Sequence, residues 1–391
     1  MKILFLNDKG HDDVNNWSGT TAHMARMLED RGHQLYYIDY LTGNFFLRCF
    51  YRGLGILTGK QIKANREPNV LKSMARRRDR EKKKFEYDLI FTPNSMCLCY
   101  LKDEKPSVFY ADATYGGMEG FYPNFTNVSV RTSKNGNFHE KMALDTCTRA
   151  IYASQWARQT AIDCYGIDGA KLDVVNFGAN VDSSYDEAQI MRLAEKRWEK
   201  EEKCLLFVGV EWERKGGPKV LEAVRILTGR GYPVKLAIVG CQPRLSEEEQ
   251  RAVRRYGYLS KKDAGQAEQL HRLYEESFLF FMPSLYECAG IVYAEAAAFG
   301  LPSVASAAGG VPDMVIEGES GYLLSADASP EAYADFIERI FQDREAYLSL
   351  CKKTFTCSKR LFTWESVGER VDRVLEAAAK EKSETLKQRR T

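Results

Sequence analysis

Pro283-Ser284-Leu285-Tyr286-Glu287-Cys288-Ala289-Gly290-Ile291-Val292-Tyr293-Ala294-Glu295, running on into Ala296-Ala297-Ala298-Phe299-Gly300-Leu301-Pro302, is the stretch that decides the fold. The apolar run ending at Met282 reads as a buried strand, a tight loop presents Glu287 at its carboxyl edge, and small residues then open a helix. The unpaired N–H groups and positive dipole end of such a helix start point back at the loop and attract phosphate. Glu295 lies one to two turns into the same helix, where its carboxylate can accept two vicinal hydroxyls. Two carboxylates thus bracket a phosphate cradle, built on a strand, a loop and a helix.

Outward from this stretch, short apolar runs alternate with longer amphipathic ones, the pattern of a parallel sheet wrapped by crossover helices. The second half predicts strands over 204–208, 234–239, 278–282 and 303–305 and one ending at Leu259, with helices over 217–230, 267–276 and about 290–299. The first half predicts strands over 2–6, 34–39, 87–91, 107–110 and 150–153, and a helix over 20–31 closed by Gly32. The charged, helix-favouring run 186–203 has no strand signal and separates the halves. The expected architecture is α/β, two doubly wound Rossmann-like domains over 1–190 and 191–365. A C-terminal helix and polar tail over 366–391 is expected to pack back toward the first domain, fraying from Lys380 onward.

Composition narrows the function classes. With 391 residues, 44% hydrophobic and 28% charged, the chain is long enough for two cores and is neither disordered nor fibrous. A formal charge of +2 provides no whole-chain field for nucleic acid. The ten cysteines are scattered, without CxxC spacing, and read as reduced thiols. Ile3 to Leu6 is too short for the apolar region of a signal peptide, and the run near 45–57 is broken by Arg48 and Arg52 and falls short of a membrane span. Both point to a cytoplasmic protein.

At the opening stretch the chain resembles the retaining, family-4-like glycosyltransferases of the GT-B fold. Glu287 and Glu295 match their E-x7-E signature, flanked by Pro283-Ser284, Glu295-Ala296, Gly300-Leu301-Pro302 and Gly309-Gly310-Val311-Pro312-Asp313. The match is good over roughly 204–324 and loose in the first half. Without its neighbours, the pair reads equally as two solvated carboxylates at a helix edge. The resemblance implies that Glu287 contacts a donor sugar, that Glu295 binds the nucleotide ribose, and that the backbone of Cys288, Ala289, Gly290 and Ile291 holds a diphosphate. It also implies two domains facing across a cleft, 191–365 on the donor side and 1–190 on the acceptor side.

Phe207-Val208-Gly209-Val210-Glu211-Trp212-Glu213-Arg214-Lys215-Gly216-Gly217 is the second signal, a strand entering a glycine-bearing loop where cations can neutralise a departing diphosphate. By resemblance Lys215 is the phosphate-binding lysine. Val210 stands where relatives often have arginine, and Arg214 is the candidate substitute; an ordinary exposed basic pair is the competing reading. Trp17-Ser18-Gly19-Thr20-Thr21 resembles the family's glycine loop, with Gly19 toward the donor, and reads equally as a turn with Ser18 or Thr20 capping a helix. Asp112 ends a strand where many relatives place a histidine, so it is either a catalytic-site carboxylate or a strand-end turn residue. Asn176-Phe177-Gly178-Ala179-Asn180-Val181-Asp182 resembles the turn that ends the family's first domain, with Gly178 expected at positive φ.

No Asp-x-Asp pair, ligand-spaced histidines or G-x-S-x-G elbow appears, so no metal and no cofactor is expected. Residues 60–84 carry eleven Lys and Arg against three acids. They read either as a peripheral contact with anionic lipid at the inner face of the membrane or as a solvated helix and loop; nucleic acid is disfavoured because no aromatics interleave the charges. The expected function is metal-independent, retaining transfer of a sugar from a nucleotide-diphosphate donor to a hydroxyl on a carbohydrate or lipid-linked acceptor, in cell-surface polysaccharide or glycolipid synthesis. A nucleotide-sugar epimerase or hydrolase, and a catalytically silent nucleotide-sugar-binding protein, are the alternatives.

Overall fold

The computed structural model describes residues 1–13 and 16–388, except for the side chains of Asn16 and of 385–388. They form two compact units, Met1–Asn176 with Val367–Thr391, and Phe177–Ser366. The sequence divides at 190/191 and 365/366; contacts divide at 176/177 and 366/367.

Unit 1 is built on strands β1 (Lys2–Leu6), β2 (Gln34–Ile38), β3 (Leu89–Thr92), β4 (Ser107–Ala111), β5 (Arg149–Tyr152) and β6 (Leu172–Val174), all parallel, in the order β2-β1-β3-β4-β5-β6. β3 and β4 are buried along their whole length, which is why they read as continuous apolar runs rather than alternating ones. The direction of winding reverses between β1 and β3, so the carboxyl ends of these two strands form the switch-point crevice of a doubly wound sheet.

Unit 2 is built on β7 (Lys203–Val208), β8 (Val234–Val239), β9 (Val253–Gly257), β10 (Leu279–Met282), β11 (Ser303–Ser306) and β12 (Gly321–Leu324), parallel in the order β12-β11-β10-β7-β8-β9. Here the reversal falls between β7 and β10. Each unit also buries an arginine among backbone carbonyls. Arg78 donates to those of Cys97, Cys99 and Tyr100, and Arg197 to those of Glu275, Gly300, Tyr274 and Phe299.

The predicted strands recur with shifts of one or two residues, except that the strand placed at Leu259 ends at Gly257 and that β6 and β12 were not anticipated. The run 186–203 contains the helix Glu187–Glu199, started by a capping box in which Asp186 and Gln189 bond each other's backbone N–H. The charge-rich and aromatic segments hid further helices, Phe45–Thr58, Val130–Thr146 and Gln155–Tyr165, while Pro68–Glu81 is the helix that one reading of residues 60–84 expected. The last helix, Trp364–Gln388, extends into the polar tail, of which residues 389–391 lie outside the described ones. It packs in unit 1: Asp372 pairs with Arg31 at 2.6 Å and His33 at 2.8 Å, and Glu381 with Arg149 at 2.5 Å. A Cβ on Gly368 would sit 2.7 Å from the Arg31 side chain, so the bare glycine permits this close approach.

Candidate functional site

The two motif loops of unit 2 leave the sheet at its switch point, one after β7 and one after β10. They are locked to each other. The Leu285 N–H donates to the Arg214 carbonyl at 2.9 Å, and Gly216, at φ +78°, lies so close that a Cβ there would stand 2.0 Å from the Pro283 carbonyl oxygen. Only glycine fits that position in both conformation and space. The β10 loop is held from below by the Tyr293 hydroxyl on the Met282 carbonyl at 2.6 Å, by the Ser306 hydroxyl on the Ser284 carbonyl, and by the Gly310 N–H on the Glu287 carbonyl at 3.0 Å.

This frame brings Lys215, Arg214 and Glu287 together, each buried to within 10% of full exclusion from water. The Lys215 ammonium is paired with Glu287 Oε2, while Arg214 reaches the same oxygen at 3.3 Å and the Tyr286 carbonyl at 2.7 Å. Arg214 Nε also pairs with Glu211 at 2.6 Å. Burial alone pushes the Glu287 carboxyl up, but the two adjacent cations outweigh it and hold the group below its ordinary range, so it is a carboxylate. Val210, where the resemblance leads one to expect arginine, is exposed, whereas Arg214 is buried against Glu287.

Immediately after Glu287 the chain turns through Gly290 at φ +83° and enters the helix Ile291–Ala298. Cys288 and Ala289 are buried and Gly290 and Ile291 partly so, and a Cβ on Gly290 would stand 3.1 Å from Glu287 Cγ, so the helix start with its positive dipole end adjoins the carboxylate that Lys215 and Arg214 hold.

Glu295 faces a different set of partners. Its carboxylate is 1% exposed, Oε1 is paired with Lys261, and Oε2 accepts the Tyr274 hydroxyl at 3.1 Å. Burial, then the nearby Glu295 charge, pushes the Tyr274 phenol well up, so it acts there as a donor. Lys261 and Tyr274 escaped the sequence reading. Lys261 lies in the polar segment after β9, which gives no periodic signal, and Tyr274 reads as one apolar position of an amphipathic helix.

Asp112 and the Gly19 loop belong to unit 1. Asp112 follows β4, and its Oδ2 accepts the Trp17 indole N–H at 3.2 Å. Trp17 and Ser18 adopt left-handed φ values of 53° and 56°, followed by Gly19 at 86°. Two consecutive non-glycine residues in that region store strain of order 1–3 kcal/mol each. Gly19, not Ser18 or Thr20, occupies the N-cap of Thr20–Asp30, and no side chain caps it.

Gly178 is not at positive φ. Its role is space: a Cβ would fall 2.7 Å from the Trp364 ring, whose Nε1 donates to Asn180 Oδ1 at 3.1 Å. All ten cysteines are free thiols, and no described group of three or more His, Cys, Asp or Glu could hold a metal ion. Much of the basic run is internally engaged: Arg66 pairs with Glu140, Lys82 with Asp103, and Arg77 donates to the Asp39 and Tyr40 carbonyls. No described helix is long and apolar enough to cross a membrane.

Comparison with known proteins places the family-model match in unit 2 and the likeness in fold over the whole chain. Residues 192–355 match the family model of glycosyl transferases group 1. A D-inositol 3-phosphate glycosyltransferase of Corynebacterium glutamicum is 26% identical over 240 residues, 59% of this chain and 57% of that protein. The alignment with that relative thus spans little more than half of its length. Among solved structures, the sucrose-phosphate synthase of Thermosynechococcus elongatus superposes with a TM-score of 0.68 at 18% identity, covering 96% of this chain and 99% of that one. Anabaena HepE in complex with UDP-glucose superposes with a TM-score of 0.60 at 16% identity, covering 96% and 100%. At such identities the superpositions speak for the fold alone, two Rossmann-like α/β units of the GT-B type. Over residues 192–355 the chain is thus similar to glycosyl transferases group 1, and its two units have the GT-B fold.

Proposed function

We propose that the protein is a retaining glycosyltransferase that moves a sugar from a nucleotide-diphosphate donor to a hydroxyl of a carbohydrate or lipid-linked acceptor. The observation that carries this reading is the convergence of Lys215 and Arg214 on Glu287 beside the start of Ile291–Ala298 at the β7/β10 switch point. Fixed cations and helix N–H groups at one place are suited to a leaving diphosphate, whose developing charge they stabilise without moving. In the proposed step the bond from the anomeric carbon to the diphosphate oxygen breaks. The acceptor oxygen bonds that carbon on the same face, and the acceptor proton passes to the released diphosphate. Glu287, ionised and held by two cations, positions the sugar hydroxyls, and Glu295 receives the ribose hydroxyls. Lys215 and Arg214 supply the charge neutralisation, so the reaction is proposed to need no metal. Asp112, oriented by Trp17, is proposed to hydrogen-bond the sugar or the acceptor.

A nucleotide-sugar donor is further supported by HepE, a protein of this fold solved with UDP-glucose. Synthesis of a cell-surface polysaccharide or glycolipid is the proposed setting, with the enzyme cytoplasmic and touching the inner face of the membrane. Incubation of the protein with a panel of nucleotide sugars, UDP-glucose first and with and without EDTA, tests the reading. Slow release of free nucleotide, accelerated by an acceptor and indifferent to EDTA, is expected. A changed sugar on intact nucleotide means an epimerase, and binding without turnover a silent binding protein; either removes the transferase assignment.

A further inference from the structure

The switch point of unit 1 also opens a crevice, and none of the motif residues discussed above lines it. A cavity of about 510 Å³ lies at the carboxyl ends of β1 and β3, bounded by Asp8 and Lys9 after β1 and by Asn94 and Met96 after β3. Its floor is apolar, with Leu41, Val70, Leu71 and Met74 all buried. Its rim is cationic: Lys9, Arg48, Arg52 and Lys63 surround it, and none of the four has a carboxylate within ion-pair distance among the described residues. Asp8 is the single acid in the lining. Elsewhere in the 60–84 run some of the cations are ion-paired, as Arg66 is with Glu140 and Lys82 with Asp103. Lys63 is half-buried with its ammonium over the Phe125 ring, 4.8 Å from the centroid, and that burial together with the nearby Arg66 charge pushes its ammonium pKa down. Like charges gathered around a crevice with no carboxylate to pair them are costly unless an anion joins them.

The helix Phe45–Thr58 gives the second half of the argument. Positions 45, 48, 49 and 52, spaced i, i+3, i+4 and i+7, form the face that lines the cavity. Positions 46, 50 and 57, spaced i, i+4 and i+11, form a neighbouring face on which Phe46 is 79%, Phe50 63% and Leu57 86% exposed. Three large apolar side chains in water on one helix face, beside a cationic crevice, form a patch that a folded soluble surface rarely leaves uncovered.

We infer that this cavity binds the anionic headgroup of an amphiphile whose apolar chain lies along the exposed face of Phe45–Thr58, and that such an anionic amphiphile is the acceptor class. As the acceptor's identity the inference rests on the transferase reading; as a binding site it stands without it. The head meets Arg48, Arg52, Lys9 and Lys63, and the chain covers Phe46, Phe50 and Leu57.

Calorimetric titration of the full-length protein with dodecyl phosphate, dodecyl maltoside and inorganic phosphate, each below any micellar concentration, tests this. Dodecyl phosphate is expected to bind at least tenfold more tightly than either of the others. The Arg48→Glu, Arg52→Glu double variant loses at least tenfold in that affinity. The Phe46→Ser, Phe50→Ser variant brings it down to the level of inorganic phosphate. All four side chains are exposed, and unchanged circular dichroism confirms the fold. Equal affinity for the neutral and the anionic detergent overturns the inference, as does inorganic phosphate binding as tightly as dodecyl phosphate. Binding to phosphatidylglycerol vesicles without binding of monomeric dodecyl phosphate overturns it in favour of a membrane surface. Nucleotide-sugar turnover is measured separately on the same protein: amphiphile binding without turnover keeps the site and removes the transferase reading, and turnover without amphiphile binding does the reverse.

Discussion

Lys261 neutralises Glu295, a carboxylate almost wholly withdrawn from water, while the Tyr274 hydroxyl holds its second oxygen at 3.1 Å. Removing one partner of a buried pair leaves the other charge uncompensated. Lys261→Ala is therefore expected to destabilise unit 2 by about 1–3 kcal/mol, discounted from a fully buried pair because the Lys261 side chain is partly solvated. Denaturant unfolding reads it; Lys261→Arg restoring the midpoint supports the pairing, and an unchanged midpoint in the alanine variant refutes it.

Glu295 and Lys215 are expected to separate in kinetics. If Glu295 receives ribose, Glu295→Ala weakens donor binding and raises KM. If Lys215 stabilises a leaving diphosphate, Lys215→Ala lowers kcat by about two orders of magnitude or more. Steady-state assays with the turned-over nucleotide sugar check both, and near-normal constants in the two variants would remove the site assignment.

The acid limb of stability belongs in part to Glu287. Its two cations hold the folded carboxyl below the ordinary 4.5, so its stabilising contribution is complete above about pH 4.5 and is lost as pH falls through the lower folded value. Glu287→Gln removes that titration. Stability of the native protein measured from pH 6 to pH 3 should fall more steeply than that of the variant, and parallel profiles would contradict the pairing.

Gly216 and Gly229 open and close one helix and make a matched contrast. A methyl at Gly216 meets the Pro283 carbonyl at 2.0 Å in a left-handed conformation, whereas one at Gly229 meets nothing within 4 Å. Gly216→Ala is expected to cost more than about 2 kcal/mol and to disturb donor turnover; Gly229→Ala is expected to be neutral or stabilising by up to about 1 kcal/mol. Thermal unfolding of the pair decides it.

The sheet was legible because buried parallel strands are continuous apolar runs, and β3, β4, β7 and β10 each stood out that way. β6 and β12 escaped because they are short edge strands, three and four residues long, only partly buried. The phosphate-cradle motif was legible as local text, since Glu287 and the helix after it are contiguous. Lys261 was not, because its meeting with Glu295 is made by the fold across 34 positions. Gly178 shows the same limit: its presence was readable and its reason was not, since the Trp364 ring that excludes a Cβ lies far along the chain. The aromatic run at 45–57 gave no membrane span, and only its helical placement revealed which residues face water.

Because unit 2 is one continuous stretch, Phe177–Ser366, and unit 1 resumes only at Val367, the chain leaves its first core unfinished until its closing residues are made. During synthesis unit 2 has all of its segments before unit 1 does. Until Asp372 reaches Arg31 and His33, and Glu381 reaches Arg149, the nascent first unit carries a bare flank where Gly368 will later nest. A chain cut short before residue 367 would have one finished half and one open one, the open half being the earlier made.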